Sequence, residues 1–387
     1  MAQGPVRKLQ SERARLERYG EDGTLPRETT EALLEWSSAL HPDESETTYI
    51  TPDGEAKTFA ISTVQAYLRS MRKVAVRAIP DLCSLDPSEF NDAMDAMHTG
   101  ENPHVKEGGL SRRTLAIAQS AARTFVWYFD IASPAEITVY SEQLQSGHDD
   151  GEVFSRRDVQ ALRQHVEGPR NRALLELLLN TGQRISAIQG LRIRDIDLEH
   201  GTFSLNTERE GLKGAARRVN RRPLLGAQPA LADWLDAHPL AGDPEAYLFV
   251  GDPDHHFTKL DQPLCQGTIR RMLETTAERA NVDKPVNPHS FRHFWTTTMK
   301  QDYGLNDEEI KLLLGHGRDG NGVNTVYNHS KVSELLSNVE EKLQGIDERS
   351  TKPLTPDCCG SCGEELDAHW QCCPVCRTSY GPSNLLP

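Results

Sequence analysis

No stretch of this 387-residue chain reaches the roughly 18 apolar residues that a membrane-spanning helix needs. We therefore expect no membrane span and no membrane partner. The first ten residues, MAQGPVRKLQ, carry charge but no apolar stretch behind them, which argues against a secretory leader and favours the cytoplasm. The content of 37% hydrophobic and 26% charged residues is ordinary for a globular protein, and the length predicts two or three domains at roughly 150 residues each.

The sequence also lacks the patterns that bind nucleotides and catalytic metals. It contains no phosphate-binding loop of the form GxxxxGK followed by Ser or Thr, and no paired-carboxylate site. No internal repeat is present. These absences fit a reaction that uses no cofactor, and we expect no small-molecule substrate.

Positive charge is in deficit overall but concentrated in one segment. The chain has 43 Lys and Arg against 57 Asp and Glu, a net charge of −14, which by itself argues against a phosphate-rich partner. Residues 1–150 carry 15 basic against 24 acidic side chains, whereas residues 155–222 carry 14 against 8. Thirteen of those 14 basic residues are arginines, which suit bidentate contacts to phosphates, with a local excess by chance as the alternative.

Hydrophobic periodicity predicts a mainly helical protein with a small β-hairpin sheet. Apolar residues recur at helical spacing over 61–80 and again after Ser111, which is placed to cap a helix. The segments 201–205 and 217–225 are typical of two strands joined by a hairpin. We divide the chain into a loosely helical N-terminal arm (1–27), an all-helical domain (28–131), a linker (132–153), a mixed α/β domain (154–345) and a cysteine-rich tail (350–387).

Four short segments of the mixed domain carry side chains suited to phosphate chemistry. They are TGQRISAIQGL (181–191), the lysine of EREGLKGAARR, HSFRH (289–293) and LLGHGRDGNGVNTVYNH (313–329). Each is weak by itself: a lone arginine after glycine is more often a surface residue, and Leu-Gly-His is also typical of a helix end. A His-x-x-Arg pair only places two side chains on one face of a helix.

In order and spacing, these segments resemble the catalytic domain of the tyrosine recombinases, the family of phage integrases and Xer proteins. That family combines an arginine after a Thr-Gly turn, a lysine on a β-hairpin, a His-x-x-Arg helix, a Leu-Gly-His turn and a tyrosine. Here His316 follows Arg292 by 24 residues, and Tyr327 follows His316 by 11. The resemblance covers roughly 154–345, and it implies that residues 28–131 are a core-binding domain that contacts DNA.

The resemblance implies a site-specific recombinase that cleaves and rejoins double-stranded DNA through a 3′-phosphotyrosyl intermediate. Arg184 and Arg292 would clamp the phosphate oxygens, and Lys213 would protonate the leaving 5′ oxygen. His289 would accept the proton of Tyr327 or orient the phosphate, and His316 would donate a hydrogen bond to the phosphate. We also expect a homo-tetramer on synapsed DNA. The implied catalytic residues are Arg184, Lys213, His289, Arg292, His316 and Tyr327.

Some positions depart from the family pattern. Ala187 stands where the family usually has Asp or Glu, so we expect an orienting carboxylate to be missing or supplied by Asp195 or Asp197. The hairpin is long, and Phe291 replaces a usual leucine. Two alternatives stay open. One is a non-catalytic DNA-binding regulator on the same fold, which the complete catalytic set disfavours, and the other is strand cleavage of the type IB topoisomerase kind.

Six of the eight cysteines lie between 358 and 376, and in a cytosolic chain this clustering favours metal over disulfides. Two Cys-x-x-Cys pairs separated by ten residues predict a tetrahedral zinc site, and the segment resembles a small zinc ribbon. The neighbouring Cys358 and Cys372 leave the register open. We expect a tail this small to fold only with structural Zn²⁺, and the metal to take no part in catalysis. The predicted ligands are Cys359, Cys362, Cys373 and Cys376.

Overall fold

The computed structural model describes residues 4–140, 153–206, 221–256, 258–315, 338–339, 342–343, 354–367, 370 and 372–380. The chain divides into two compact units, Gln3–Gly147 and His148–Pro387. Both are built mainly of helices with small antiparallel sheets, which confirms the predicted fold class. No helix in the described ranges is long and apolar enough to cross a membrane.

The first unit is a set of helices around one apolar core. Trp36 and Phe125 are fully buried, with ring centroids 5.5 Å apart in an edge-to-face arrangement. Ser111 caps a helix by accepting a hydrogen bond from a backbone amide, as predicted, and Asp86 caps another. The elements are α1 (Pro5–Glu21), α2 (Arg27–Ala39), β1 (Tyr49–Ile50), β2 (Ala56–Lys57), α3 (Ile61–Arg77), α4 (Pro87–Thr99) and α5 (Arg112–Tyr128).

The N-terminal arm is more regular than the sequence predicts. The sequence predicts a loosely helical arm over 1–27, and in the structure α1 is a regular helix of 17 residues whose Leu9 and Leu16 are buried. Two leucines make too narrow an apolar stripe to stand out in a highly charged segment. A buried ion pair also holds the helix, because Oε2 of Glu12 lies 3.0 Å from Nε of Arg72 in α3. The arm therefore belongs to the first unit.

The second unit is organised around a helix that is buried on all sides. Its elements are α6 (Arg156–His165), α7 (Pro169–Thr181), α8 (Ile185–Gly190), β3 (Ile196–Asp197), β4 (Thr202–Ser204), β5 (Arg221–Pro223), α9 (Gln228–Asp236), α10 (Gln266–Ala280), α11 (Pro288–Gln301) and α12 (Asp307–Leu314). Every residue of α7 from Ala173 to Thr181 is buried, because most of the run is apolar and its polar side chains, such as Asn180, are hydrogen-bonded. The helices α9 and α11 pack against it.

The small sheet of this unit has three antiparallel strands in the order β3–β4–β5. Thr202 pairs with Pro223, and Phe203 pairs with Arg222, which confirms the two strands predicted around the hairpin. The sequence missed β3 because two residues are too few to show an alternating pattern. Residues 207–220, between β4 and β5, lie outside the described ranges.

Little of the chain between α12 and the tail is described. The sequence predicts a helix over 331–344 whose apolar face packs against a neighbouring protomer or against its own core. Two residues of that face, Val339 and Leu343, are described, and both are buried in the core of the second unit. Lys342 pairs with Glu309 of α12, with Nζ and Oε2 2.8 Å apart. Val339 and Leu343 therefore pack against the protein's own core.

Candidate active site

The first predicted catalytic arginine, Arg184, follows a sharp turn at the end of α7. Gly182 ends that helix with a φ of 58°, in the left-handed region that favours glycine. The position also has no room for a side chain, because an added Cβ would lie 2.8 Å from the ring of Trp295. Arg184 then begins α8 as its N-cap, and its side chain lines a cleft. The Thr-Gly turn thus redirects the chain and places the guanidinium.

The second arginine, Arg292, lies in α11 and is only 7% exposed. Asn287 caps this helix, and its side chain accepts hydrogen bonds from the amides of His289 and Ser290. The Nη1 atom of Arg292 donates a hydrogen bond to the carbonyl oxygen of Gly182 at 2.9 Å. A direct contact therefore brings the predicted His-x-x-Arg helix and the Thr-Gly turn together.

The two arginines line one cleft of about 580 Å³, formed by residues of α8, α10 and α11. The contribution of α10 was not predicted. Gln266, Arg270 and Glu274 line the cleft, and their spacing of four residues puts them on one face of the helix. That spacing is visible in the sequence, but nothing in it shows which neighbour the face meets.

Positive charge in the cleft is unfavourable while the cleft holds no anion. Burial lowers the pKa of Arg184. Burial and the nearby Arg184 together lower the pKa of Arg292 to about 10. Both shifts mean that the charged forms are less favourable here than in water. A phosphodiester would relieve both side chains at once, because guanidiniums bind its oxygens bidentately.

His289 is exposed and lines the same cleft. Its Nε2 lies 2.9 Å from Nε2 of His293, one helical turn later, and the ring centroids are 4.3 Å apart. One of these two nitrogens must carry the shared proton while the other accepts it. Sequence analysis did not single out His293, although histidines four residues apart share a helix face. The donor and acceptor roles of the two rings therefore depend on each other.

Three of the six predicted catalytic residues, Lys213, His316 and Tyr327, lie outside the described residues. The elements that lead to two of them are described. The strands β4 and β5 flank the segment that contains Lys213. The helix α12 ends at Leu314 and is capped by Gly315, whose φ of 63° is in the left-handed region, and His316 is the next residue in the sequence. The structure brings together the other three, and the roles of all six stay predictions.

Comparison with known proteins connects this site to a family. Residues 152–334 match the phage integrase family. Tyrosine recombinase XerD of Mycobacterium tuberculosis is 28% identical over 274 residues, which cover 66% of this chain and 84% of that protein. Tyrosine recombinase XerD of Halalkalibacterium halodurans is 26% identical over 221 residues, which cover 55% and 70%. The chain therefore contains a phage integrase domain, and these relatives support a tyrosine recombinase.

The matched range contains all six predicted catalytic positions of this tyrosine recombinase and ends before the cysteine-rich tail. Among solved structures, the Tn1549 transposon integrase in complex with transposon right end DNA is similar at 16% identity. That similarity has a TM-score of 0.47 and covers 73% of this chain and 92% of that one.

This tyrosine recombinase lacks the usual carboxylate at position 187, and the predicted substitutes are engaged elsewhere. Ala187 is buried in the core. Asp195 accepts a hydrogen bond at 2.8 Å from a backbone amide three residues away. Asp197 lies 2.9 Å from the ring of His200. Neither aspartate lines the cleft, which leaves the other expectation, that the orienting carboxylate is missing, whereas Glu274 of α10 does line the cleft.

The four predicted cysteine ligands come together in the tail. The Sγ atoms of Cys359, Cys362, Cys373 and Cys376 all lie within 4.8 Å of one another. The pairs Cys359–Cys376 and Cys362–Cys373 are each 3.5 Å apart. Tetrahedral zinc with Zn–S bonds of about 2.3 Å places its sulfurs about 3.8 Å apart, so this group can hold such a metal.

The backbone decides which cysteines face one another. In each Cys-x-x-Cys turn, a backbone amide donates to the carbonyl of the first cysteine, at 2.8 Å in one turn and 2.9 Å in the other. Cys359 and Cys373 are buried at these positions. Cys358 and Cys372 are exposed and lie in isolated β-bridges, outside the four-sulfur group.

The tail is attached to the unit that contains the cleft. Leu354 is buried in the core of that unit, and its carbonyl accepts a hydrogen bond from Nη2 of Arg163 at 2.9 Å. Arg163 of α6 also pairs with Glu176 of α7, with Nε and Oε1 2.7 Å apart. Asp357 accepts a hydrogen bond at 2.9 Å from Gln160. The contacts of Leu354 and Asp357 do not show in the sequence, because they join residues about 200 positions apart.

Proposed function

We propose that this tyrosine recombinase cleaves and rejoins double-stranded DNA at specific sites through a 3′-phosphotyrosyl intermediate on Tyr327. The observation that carries the proposal is the pairing of Arg184 and Arg292 in one cleft, where burial and the neighbouring cation lower the pKa of Arg292 to about 10. Two like charges in such a site are unfavourable unless an anion binds between them. A phosphodiester offers two non-bridging oxygens, which two guanidiniums recognise well.

In the proposed reaction, the phenol oxygen of Tyr327 attacks phosphorus, and the bond from phosphorus to the 5′ oxygen breaks. The phenol proton passes to His289, and Lys213 gives a proton to the departing 5′ oxygen. The two arginines and a hydrogen bond from His316 stabilise charge on the non-bridging oxygens. The phosphotyrosyl ester retains the energy of the broken bond. A 5′ hydroxyl of a second strand can therefore reverse the step without a cofactor.

We assign residues 154–345 to catalysis and residues 28–131 to DNA contact. Arg69, Lys73 and Arg77 recur every four residues along α3. Burial, and then repulsion by these arginines, lowers the pKa of Lys73, so cations crowd one face of an otherwise acidic unit. A row of cations suits a row of backbone phosphates. The first unit would thereby position the duplex for the second.

We infer that four protomers act on synapsed DNA, as the family resemblance implies. Two duplexes with two cleavage positions each require four tyrosines. The Tyr327→Phe protein should bind its site without reacting, so its complexes with two duplexes can be weighed by mass photometry. A mass of four chains with two duplexes is expected, and a largest species of two chains with one duplex would contradict the tetramer.

We propose that the tail binds one structural Zn²⁺ through Cys359, Cys362, Cys373 and Cys376. The hydroxyl of Tyr380 donates a hydrogen bond to Sγ of Cys359 at 3.1 Å, and such outer contacts orient metal ligands. Four thiolates close the coordination sphere, so the metal would stabilise the fold and supply no reactive position. Thiols of this kind need a reducing compartment, which agrees with the cytoplasm.

A nicked suicide duplex tests the proposed reaction. Cleavage next to the nick releases a short oligonucleotide, so religation fails and a covalent adduct accumulates. We expect an adduct that survives denaturation with the wild type and none with Tyr327→Phe, while duplex binding is retained because only one oxygen is lost. Tyr303→Phe is the matched control and should form the adduct, because Tyr303 packs against the core. The duplex is chosen by sequencing DNA ends trapped from a genomic fragment pool.

Two other results would favour the alternatives. Tight DNA binding by the wild type without any adduct would indicate a non-catalytic regulator. Adducts at unrelated sequences, together with relaxation of supercoiled plasmid and no exchange between two DNA partners, would indicate strand cleavage of the type IB topoisomerase kind.

A further inference from the structure

One backbone oxygen in the second unit accepts hydrogen bonds from two buried side chains. The carbonyl of Leu313, in the last turn of α12, lies 3.0 Å from Nε2 of Gln183 and 2.9 Å from Nε of Arg222. Gln183 is 3% exposed, Arg222 1% and Leu313 2%. The last carbonyls of a helix have no partner within the helix, so side-chain donors are the means of satisfying them when they are buried.

The two donors belong to the other parts of the predicted catalytic set. Gln183 directly precedes Arg184 in the Thr-Gly turn. Arg222 lies in β5, the strand that follows the segment containing Lys213. The carbonyl that both donors hold lies three residues before His316. The carbonyl oxygen of Leu313 therefore links the turn before Arg184, the strand after the segment of Lys213 and the helix before His316.

Packing alone does not account for these side chains. Burial lowers the pKa of Arg222 to about 10, so the charged form is disfavoured at this position. Replacing a buried charged side chain with an apolar one of similar size is often neutral or stabilising. Gln183 is likewise a polar side chain that is buried. An apolar side chain at either position could not donate a hydrogen bond to the carbonyl oxygen of Leu313.

We propose that Gln183 and Arg222 are positioning residues that fix the end of α12, the helix that leads to His316 in the sequence, relative to the turn that carries Arg184. This inference rests on the proposed function, because His316 acts on the phosphate of the DNA. Two donors on one carbonyl define its direction as well as its distance. A displacement of about 1 Å at a catalytic group can slow a reaction about 100-fold.

Two substitutions remove the donors without leaving a buried charge, Gln183→Leu and Arg222→Met. Arg222→Lys keeps a positive donor and should restore part of the lost function. Trp234→Phe is the matched control. It also removes a buried donor to a backbone carbonyl, since Nε1 of Trp234 lies 2.7 Å from the oxygen of Leu248, but that contact does not involve α12.

Hydrogen exchange of backbone amides tests the positioning without any need for activity. In Gln183→Leu and Arg222→Met, amides of the segment 310–315 should exchange about tenfold faster than in the wild type, because the helix end opens more often. In Trp234→Phe their exchange should be unchanged. Unchanged exchange of this segment in both donor variants would overturn the proposal, whether or not the protein cleaves DNA.

A double-substitution cycle tests the connection to His316. On the suicide duplex, each donor variant should form the adduct roughly 10- to 100-fold more slowly with unchanged DNA affinity. In a His316→Ala background the same substitutions should have little further effect, because the group that they position is gone. The proposal would be overturned if the donor substitutions slowed adduct formation by the same factor in the His316→Ala background as in the wild type. Failure of the proposed function looks different, since the wild type would then form no adduct while the exchange result still stands.

Discussion

Arg292 donates a hydrogen bond from Nη1 to the carbonyl oxygen of Gly182, 2.9 Å away and 110 residues earlier in the chain. The contact fixes the His-x-x-Arg helix against the turn that carries Arg184. The protein itself, rather than the DNA, therefore holds the guanidinium of Arg292 against the turn that carries Arg184. Charges that are already in place need no reorganisation when negative charge develops on a phosphate.

Lysine should not replace either arginine of the cleft. We expect Arg184→Lys and Arg292→Lys to slow adduct formation by about 100-fold or more, with little change in duplex affinity. An ammonium group keeps the charge but cannot contact two phosphate oxygens in one plane. Single-turnover cleavage of the suicide duplex measures the rate, and fluorescence anisotropy measures the affinity.

Arg279→Lys serves as the control for these two variants. Arg279 is a surface residue of α10 that pairs with Glu167, and we expect its variant to react at the wild-type rate. Wild-type rates in both cleft variants would mean that the planar guanidinium is not required, and the assigned roles of the arginines would then be wrong.

The lowered pKa of Arg292 also predicts how stability changes with pH. The pKa is about 10 in the folded protein against 12.5 for an unperturbed arginine. As pH rises through about 10, the folded protein releases a proton that the unfolded chain keeps, so unfolding takes up a proton and stability increases. Relative to Arg292→Met, the wild type should therefore gain stability between about pH 9.5 and 11. Thermal unfolding of both proteins across this range measures the gain, and a constant difference between them would refute the lowered pKa.

The pairing of His289 with His293 predicts a rate effect from a residue outside the family motif. His293→Phe keeps a ring of similar size but removes the nitrogen that shares a proton with His289 at 2.9 Å. We expect adduct formation to slow by roughly 10-fold with unchanged DNA affinity. His165→Phe, at an exposed histidine of α6, is the control. Equal rates in the two variants would show that His289 acts without its neighbour.

Residue type and order were enough to predict a catalytic set, but contacts made by packing could not be foreseen. Gly182 and Arg184 stand out in sequence because a left-handed turn and a guanidinium each demand a particular residue. Gln183 and Arg222 do not stand out, because their partner is a backbone carbonyl, and every residue has one. Contacts of this kind are made between elements that are distant in sequence, and no local pattern records them.

The same limit applies to helices and to the tail. The amphipathic pattern of α3 predicted its buried face, whereas α1 needs only two leucines and an ion pair, too little for the pattern to show. The spacing of the tail cysteines predicted a four-sulfur group. It could not choose between Cys358 and Cys359, because only the backbone turn determines which of two adjacent side chains faces inward.

Zinc content should divide the tail cysteines into two groups. Cys362→Ser or Cys376→Ser should abolish zinc binding. Cys358→Ser or Cys372→Ser should leave one zinc per chain, because Cys358 and Cys372 are exposed and lie outside the four-sulfur group. Plasma mass spectrometry of the purified proteins measures the metal. Loss of zinc from Cys358→Ser or Cys372→Ser would contradict this register.

Removing the metal should unfold the tail without stopping the reaction. We expect a chelator to unfold the tail, because so small a segment has little core without its metal. Adduct formation on a short, pre-nicked duplex should continue at an unchanged rate, because the proposed reaction uses arginine, lysine, histidine and tyrosine alone. Abolished cleavage in the chelated protein would show that the tail is required for the reaction.

The most direct measurement is the identity of the residue that carries the cleaved DNA. The adduct trapped on the suicide duplex is digested with nuclease and trypsin, and the peptide that retains a nucleotide is sequenced by tandem mass spectrometry. The proposed mechanism predicts the nucleotide on the peptide 319–331, whose single tyrosine is Tyr327. A nucleotide on the peptide 301–311, which contains Tyr303, or on any other peptide would contradict it.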